Sequence, residues 1–142
     1  MQQGRIIHVY IARVKGTPSN PVQEATAIAG KGLEGDRSCN ERNVRQVLVM
    51  DKETLDEFNL EPGDIKENIT TTGLDLSQTK AGQVFLIGDQ VTMEIMGECE
   101  PCGKMNTLQP GLLDRINHRR GMLATVVNGG AFKVGDSIRV EP

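Results

Sequence analysis

Tryptophan is absent from this chain of 142 residues, and aromatic residues make up only 3% of it. Proteins that bind single-stranded nucleic acid stack the bases on exposed aromatic rings, so this class of function is not expected. The formal net charge is −3 at pH 7. Because DNA and anionic membranes attract basic proteins, we expect neither nucleic acid nor a membrane surface as a partner.

The chain also has no apolar run of the roughly 18 to 20 residues that a membrane-spanning helix requires. Its first segment, Met1–Val14, is interrupted by Arg5, His8 and Arg13, which is not the pattern of a secretory signal peptide. Three cysteines are an odd number and too few for a disulfide scaffold. We therefore expect a cytoplasmic protein with reduced thiols, and the length predicts one domain over residues 1–142.

The residues that are plentiful favour short strands joined by tight turns. Valine, isoleucine and threonine total 32, and glycine with proline total 22. Asp51, followed by an acidic first turn, predicts a short helix over Lys52–Phe58, and a second helix is expected within Leu112–His118. The expected strands include Arg5–Val14, its partner Val22–Ile28 after a Gly16–Pro21 turn, Arg45–Met50 and Met122–Val127. About eight strands with two or three short helices predict a mainly β fold, closed or partly closed into a barrel.

The second half of the chain contains two similar segments, Phe85–Glu94 and Phe132–Glu141. Each has the pattern of a strand, a Gly-Asp turn and a second alternating strand, because glycine at the first turn position supplies a positive φ. We expect two hairpins that form opposite walls of the barrel. Between them, Gly97–Gly111 is predicted to be a loop.

Two thiols separated by two residues, Cys99 and Cys102, are the strongest candidate for chemistry. Such a pair can bind a metal, form a disulfide or pass sulfur, and each of these reactions requires a thiolate. A structural zinc site needs four ligands, and the others would have to come from Cys39, His8 or His118, which stand alone in the sequence. A thioredoxin-like disulfide is not favoured, because that motif opens a helix in a βαβ unit and no such alternation is present.

Two segments rich in glycine and arginine are candidate anion sites. The first runs from Gly30 to Arg37 and continues through Arg42 and Arg45. Exposed N–H groups of a glycine-rich loop and arginine side chains suit phosphate, although the same segment also fits a structural Asp–Arg pair on a solvated face. The second is His118–Gly121, which fits either a clamp for an anion or the basic end of a helix stopped by glycine.

Asn68 and Thr70 form a smaller polar pair in the segment before Gly73. Their side chains can hydrogen-bond a polar heterocycle, or they can satisfy backbone groups in a turn. Composition alone favours the turn.

Taken together and in order, these segments resemble the MOSC domain, a family named for the C-terminal region of molybdenum-cofactor sulfurase. The matching segments are GLEGDR (Gly32–Arg37), RQVLVMD (Arg45–Asp51), PGDIKENITTTGLDL (Pro62–Leu76), AGQVFLIGD (Ala81–Asp89), CEPCGKM (Cys99–Met105), RRGM (Arg119–Met122) and VGDSIRV (Val134–Val140).

The resemblance implies a barrel-like β fold and a role around the molybdenum cofactor, a pterin that holds the metal through a dithiolene and ends in a phosphate. It implies that Cys102 carries sulfur as a persulfide or ligates the molybdenum, with Cys99 as an accessory thiol. Independently of the resemblance, Arg119, Arg120 or Lys104 is expected to stabilise the thiolate and to steer the phosphate. The residues implied to form the cofactor pocket are Gly35, Asp36, Arg37, Asn68, Thr70, Arg119, Arg120 and Gly121.

Some members of the family fuse this domain to a pyridoxal-phosphate-dependent cysteine desulfurase or to an N-terminal barrel. The 142 residues contain neither, so we expect no pyridoxal phosphate on this chain. Many relatives have a histidine soon after the Gly-Asp-Arg triplet, whereas here Ser38 and Cys39 follow.

The sequence hypothesis is therefore a sulfurtransferase that acts as a sulfur carrier. A separate cysteine desulfurase is expected to load Cys102, and a molybdenum or tungsten enzyme, or a protein of cofactor biosynthesis, is expected to receive the sulfur. One alternative is a non-catalytic escort that binds molybdopterin or molybdenum. A second alternative is a zinc-stabilised β interaction domain.

Overall fold

The computed structural model describes residues 2–14 and 19–142, and within them the protein is mainly β. The strands are β1 (Gln2–Ile11), β2 (Asn20–Val22), β3 (Glu24–Ile28), β4 (Gly32–Leu33), β5 (Val47–Asp51), β6 (Ile69–Thr72), β7 (Val84–Ile87), β8 (Val91–Glu98), β9 (Met122–Asn128), β10 (Gly130–Lys133) and β11 (Ser137–Glu141). The helices are α1 (Lys52–Glu57), α2 (Met105–Leu108) and α3 (Leu112–Arg115), with a 3-10 turn at Leu76–Gln78.

Seven strands close into a barrel in the order β1, β11, β7, β8, β9, β5 and β6, and β6 pairs with β1 again. The β5–β6 pair is parallel and the other pairs are antiparallel. Closure leaves none of these seven strands with a long unpaired edge. The predicted β barrel with two or three short helices is confirmed.

Strand β5 separates two cores because successive side chains of a strand point to opposite faces. Val47 and Val49 face the barrel interior, where they pack with residues such as Ile6, Phe85 and Met93. Met50 points outward into a smaller core that the three helices cover. The other buried members of this outer core are Leu55, Leu60, Ile65, Met105, Leu112 and Ile116.

The predicted helix after Asp51 is confirmed, ending one residue earlier than expected. The Asp51 side chain accepts a hydrogen bond from the Thr54 N–H at 3.0 Å, so it caps the first turn of α1. Phe58 lies outside α1 as its C-cap. The second predicted helix is shorter than expected, since α3 covers only the start of Leu112–His118.

Only one of the two predicted hairpins exists. In the first, β7 and β8 pair with Ile87 opposite Val91, and Gly88 has φ +58°. The second prediction was wrong: β10 pairs with β3 in a separate three-stranded sheet, while β11 pairs with β1 and β7. The two Gly-Asp turns are neighbours, since the Gly88 N–H donates to the Ser137 carbonyl at 2.9 Å.

The expected pairing of Val22–Ile28 with the first strand is only partly correct. Strand β2 pairs with β1, but β3 joins β10 and β4 in the three-stranded sheet. Residues 16–18 of the predicted Gly16–Pro21 turn lie outside the described residues, and Asn20 and Pro21 belong to β2 instead. The predicted loop Gly97–Gly111 also contains the end of β8 and the single turn of α2.

Candidate functional site

The two thiols of the C-x-x-C segment lie in different environments. Cys99 follows the last residue of β8 and is only 2% exposed, whereas Cys102 is exposed. The Cys99 N–H donates to the Gly121 carbonyl at 2.8 Å, which extends the β8–β9 pairing and fixes this thiol at the barrel rim. Cys102 precedes α2, and its carbonyl accepts a hydrogen bond from Met105 N–H at 2.9 Å.

Gly121 is required where it lies because its backbone passes close to β5. A Cβ at this position would lie 2.6 Å from the Val49 carbonyl oxygen, and the residue has φ +103°. Glycine adopts this conformation without strain, whereas other residues do not. Gly121 therefore positions Cys99 through its backbone.

Arg45 contacts the buried thiol directly. Its Nη2 donates to Cys99 Sγ at 3.6 Å. A guanidinium donor stabilises negative charge on the sulfur it contacts, so this contact suits a thiolate. The sequence placed Arg45 in a candidate anion segment but did not predict that it lies beside a thiol. The locally positive charge around it was the only available signal.

Cys99 and three arginines line a cavity of about 240 Å³ at the barrel rim, which we call the cationic cavity. The arginines are Arg37, Arg45 and Arg120, and the other polar residues that line the cavity are Ser38, Asn43, Lys66 and Asn68.

Arg120 is the most deeply buried cation of this cavity. It is only 8% exposed, and its Nε and Nη1 have no hydrogen-bond partner among the described residues. Burial lowers the pKa of Arg120 below its ordinary value, and Arg45 acts in the same direction, while Cys99, Cys102 and Glu67 oppose the shift. A desolvated guanidinium with unpartnered donors is a natural binding group for an anion.

Glu67 is a fully buried carboxylate near Arg120. Its Oε2 accepts hydrogen bonds from the Gly63 N–H at 3.0 Å and from Thr70 Oγ1 at 2.8 Å, but its Oε1 has no partner among the described residues. No ion pair joins Glu67 to Arg120 within these residues. The positive charge of the cavity is therefore not neutralised by direct contact with this carboxylate.

Arg119 lines a different cavity, of about 560 Å³. Asp51, Lys80 and Met122 also line it, and we call it the Asp51 cavity. Arg119 Nη1 forms an ion pair with Glu57, its Nη2 donates to Thr54 Oγ1 at 3.3 Å, and its guanidinium carbon lies 5.6 Å from the centre of the Phe58 ring. Arg119 thus ties α1 to the segment before β9.

A family model describing the MOSC domain matches residues 36–139 of the chain. The chain belongs to the MOSC domain family. The match contains both thiols and all three arginines of the cationic cavity.

Solved structures of similar fold include three bacterial proteins. The YuaD protein from Bacillus subtilis superposes with a TM-score of 0.84 at 21% identity, covering 97% of this chain and 95% of that one. YiiM from Geobacillus stearothermophilus has a TM-score of 0.77 at 16% identity, with 98% and 75% covered. YiiM from Escherichia coli has a TM-score of 0.71 at 20% identity, with 97% and 70% covered. No curated protein matches the chain significantly.

The arginine and the aspartate of the Gly-Asp-Arg triplet of this MOSC domain have different surroundings. Arg37 is exposed and lines the cationic cavity. Asp36 is buried, and its Oδ1 accepts from the Ala12 N–H at 2.8 Å while its Oδ2 accepts from the Ser38 N–H at 3.0 Å. The Asp36 carboxylate therefore orders the surrounding backbone and makes no ion pair with Arg37 among the described residues.

Gly35 lies away from the thiols. It lines a third cavity of about 370 Å³ together with Arg13, and a Cβ at Gly35 would lie 2.8 Å from Arg13 Nη1. With φ +84°, Gly35 allows the chain to turn towards Asp36.

Asn68 and Thr70 make hydrogen bonds within the protein. Asn68 Oδ1 accepts from the Leu48 N–H at 2.9 Å, and its Nδ2 donates to Asp36 Oδ1 at 3.2 Å. Asn68 thereby joins β5 to the Asp36 segment, while Thr70 donates to Glu67 and is fully buried. Of the two, only Asn68 lines the cationic cavity.

Lys104 is exposed and lines neither the cationic nor the Asp51 cavity. Its carbonyl accepts a hydrogen bond from Thr107 Oγ1 at 2.6 Å at the start of α2.

Within residues 2–14 and 19–142, no three side chains of histidine, cysteine, aspartate or glutamate come together to hold a metal ion, so the zinc alternative has no ligand set there. No helix in this part of the chain is long and apolar enough to span a membrane.

Proposed function

We propose that this MOSC domain is a sulfur carrier for chemistry of the molybdenum cofactor, with Cys102 as the thiol that accepts sulfur. The observation that carries the proposal is that an exposed thiol, Cys102, lies three residues after a buried thiol, Cys99. Cys102 is open to a protein donor, while Cys99 lies in a cavity with three guanidinium groups.

Loading is a thiol–persulfide exchange. The Cys102 thiolate attacks the outer sulfur of a persulfide on a separate cysteine desulfurase, whose own cofactor stays with that enzyme. A bond forms between Cys102 Sγ and the transferred sulfur, the sulfur–sulfur bond of the donor breaks, and the donor leaves as a thiolate. The exposure of Cys102 suits this step because the two proteins must approach closely.

Release uses the second thiol as a reductant. The Cys99 thiolate attacks Cys102 Sγ, so that a Cys99–Cys102 disulfide forms, the bond to the outer sulfur breaks and sulfide leaves as HS⁻ after taking up a proton. Arg45 contacts Cys99 Sγ and stabilises the attacking thiolate. An external dithiol reductant then returns the disulfide to two thiols.

The acceptor is a molybdenum-containing pterin, which is treated as the substrate. Its anionic groups match the cationic cavity, where Arg120 Nε and Nη1 are buried donors without partners among the described residues. Arg37, Arg45 and Arg120 would hold such a group by charge-assisted hydrogen bonds. A cavity of about 240 Å³ is small for a complete cofactor, so it suits one anionic end of the molecule.

The test is persulfide loading followed by intact-protein mass spectrometry. After incubation with a cysteine desulfurase and cysteine, we expect a mass gain of one sulfur on the wild type and on Cys39→Ser. Cys102→Ser should show no gain, and Cys99→Ser should retain the persulfide longer because release is blocked. An unchanged gain in Cys102→Ser would overturn the proposal.

A second candidate function is binding without sulfur transfer, in which the domain holds the cofactor. The unpartnered donors of Arg120 favour it, as does the absence of Cys102 from the residues that line the cationic cavity. Equilibrium dialysis with molybdate and with phosphate distinguishes the two functions. Binding that is lost in Arg120→Met, unaffected by Cys102→Ser and unaccompanied by persulfide formation would favour the escort.

A further inference from the structure

The Asp51 cavity contains two charged side chains that have no ion-pair partner among the described residues. Among its other charged residues, His118 Nδ1 contacts Glu98 Oε1 at 2.7 Å, and Arg119 pairs with Glu57. Asp51 and Lys80 also line this cavity, and neither makes an ion pair within the described part of the chain. An anion and a cation are therefore both available to a ligand.

The Asp51 carboxylate is buried, and no described residue forms an ion pair with it. It is 7% exposed, and its Oδ2 accepts hydrogen bonds from Thr54 N at 3.0 Å and Thr54 Oγ1 at 2.6 Å. Burial raises the pKa of Asp51 above its ordinary value, and the contributions that oppose this are hydrogen bonds rather than a nearby cation. Burying a carboxylate without a cation is costly, so a ligand that brings one is favoured.

The remaining walls of the Asp51 cavity are partly apolar. Leu76, Ala81 and Met122 contribute apolar surface, while Lys80 is exposed. The volume of about 560 Å³ lies within the usual range for small-molecule sites. The complementary ligand has an ammonium group, an apolar body and an acidic group.

We propose that the Asp51 cavity binds an α-amino acid with an apolar side chain, its ammonium group against Asp51 and its carboxylate against Lys80. This site is separate from the thiols and the cationic cavity, so it does not depend on the sulfur-carrier function. Cys99 and Cys102 line no part of it.

The experiment is a titration of the full chain with three apolar amino acids and with two probes that each lack one charged group of L-phenylalanine. L-leucine, L-methionine and L-phenylalanine are tested first by calorimetry and by ligand-observed NMR. L-phenylalanine is then compared with 3-phenylpropanoate, which lacks the ammonium group, and with 2-phenylethylamine, which lacks the carboxylate. We expect at least one amino acid to bind, and L-phenylalanine to bind about tenfold or more tightly than either truncated probe.

Matched variants assign each end of the ligand. Asp51→Asn retains a good helix cap, so α1 is expected to persist, and it should remove the advantage of L-phenylalanine over 3-phenylpropanoate. Lys80→Gln changes an exposed residue and should remove the advantage over 2-phenylethylamine. Lys133→Gln, at an exposed lysine that lines none of the three cavities, is the control and should leave all affinities unchanged.

The proposal is overturned if none of the three amino acids binds at concentrations up to about 10 mM. It is equally overturned if the truncated probes bind as well as L-phenylalanine, or if Lys133→Gln weakens binding while Asp51→Asn and Lys80→Gln do not. Loss of binding in Lys80→Gln alone would also exclude recognition by Asp51.

Discussion

Arg119 and Arg120 are adjacent in the chain, yet they line different cavities. Arg119 pairs with Glu57 and packs over Phe58, whereas the Arg120 Nε and Nη1 are buried without partners among the described residues. The first arginine therefore has a structural partner, and the second is available to a ligand. Their different roles lead to a prediction in which each residue serves as the control for the other.

Arg120→Met is expected to stabilise the ligand-free protein while removing anion binding. Replacing a buried, unpaired charge by an apolar side chain of similar shape should raise the free energy of unfolding by about 1–2 kcal/mol. Arg119→Met should lower it by about 0.5–1 kcal/mol, since it loses a partly exposed ion pair and a cation–π contact. Urea unfolding with and without molybdate measures both effects. A less stable Arg120→Met protein would show that Arg120 contributes to the fold itself.

Gly121→Ala should destabilise the protein and disturb Cys99. The new Cβ would lie 2.6 Å from the Val49 carbonyl at a residue with φ +103°, so we expect a loss of about 2–4 kcal/mol in the free energy of unfolding. Gly103→Ala is the matched control, because a Cβ there meets no atom within 4 Å. Equal stability of the two variants in thermal unfolding would contradict the close approach of Gly121 to β5.

Asp51 should make stability fall as the pH rises through its titration range. Because burial raises its folded-state pKa, the folded protein binds more protons than the unfolded chain between the unfolded pKa near 3.8 and the higher folded value. This contribution is present below the unfolded pKa and is lost as the pH rises through the folded pKa. The difference in unfolding free energy between wild type and Asp51→Asn should therefore decrease with rising pH over this window. A difference that is constant or increases would show that the carboxylate is not disfavoured by burial.

Alkylation should distinguish the two thiols. Cys102 is exposed and Cys99 is 2% exposed, so iodoacetamide should modify Cys102 first in the folded protein and reach Cys99 only after unfolding. Peptide mass spectrometry at increasing times measures the order, with Cys39, which is partly exposed, as an internal reference. Modification of Cys99 before Cys102 would argue against Cys102 as the thiol that meets the donor.

Arg45→Gln should slow sulfide release without slowing sulfur loading. Arg45 Nη2 donates to Cys99 Sγ at 3.6 Å, so its removal acts on the attack of Cys99 on the Cys102 persulfide, and we expect a rate about tenfold lower. Arg42→Gln is the matched control, since it replaces an exposed arginine of the same segment that does not line the cationic cavity. Sulfide release and persulfide mass gain are measured in parallel. An equal effect on both steps would place Arg45 in donor docking instead.

The features that could be predicted from the sequence depend on neighbouring residues. Asp51 caps α1 because its side chain reaches the N–H of Thr54 three residues later. The hairpin at Gly88 forms because a glycine with positive φ joins two strands that directly follow one another. The C-x-x-C segment and the ordered motifs identified the MOSC family, and the family model confirms it.

The tertiary structure decided which residues form the site. The segment around Gly135 has the same pattern as the first hairpin, but its two strands do not pair with each other. Strand β10 pairs with β3 and strand β11 pairs with β1, so the two strands belong to different sheets. Likewise, Asp36 and Asn68, which are 32 residues apart, hydrogen-bond each other and the nearby backbone, while their predicted contact with a ligand stays a prediction. Local sequence does not encode these pairings, since they depend on segments tens of residues apart.

The sequence by itself determined a β-rich MOSC domain with two closely spaced thiols. It did not determine that Cys99 faces the cationic cavity while Cys102 faces solvent, that Arg45 reaches the sulfur, or that Arg119 and Arg120 line different cavities. Residue type and spacing set the chemistry that is available. The direction in which each side chain points follows from how the barrel closes and from which backbones approach one another, as Gly121 and Val49 do.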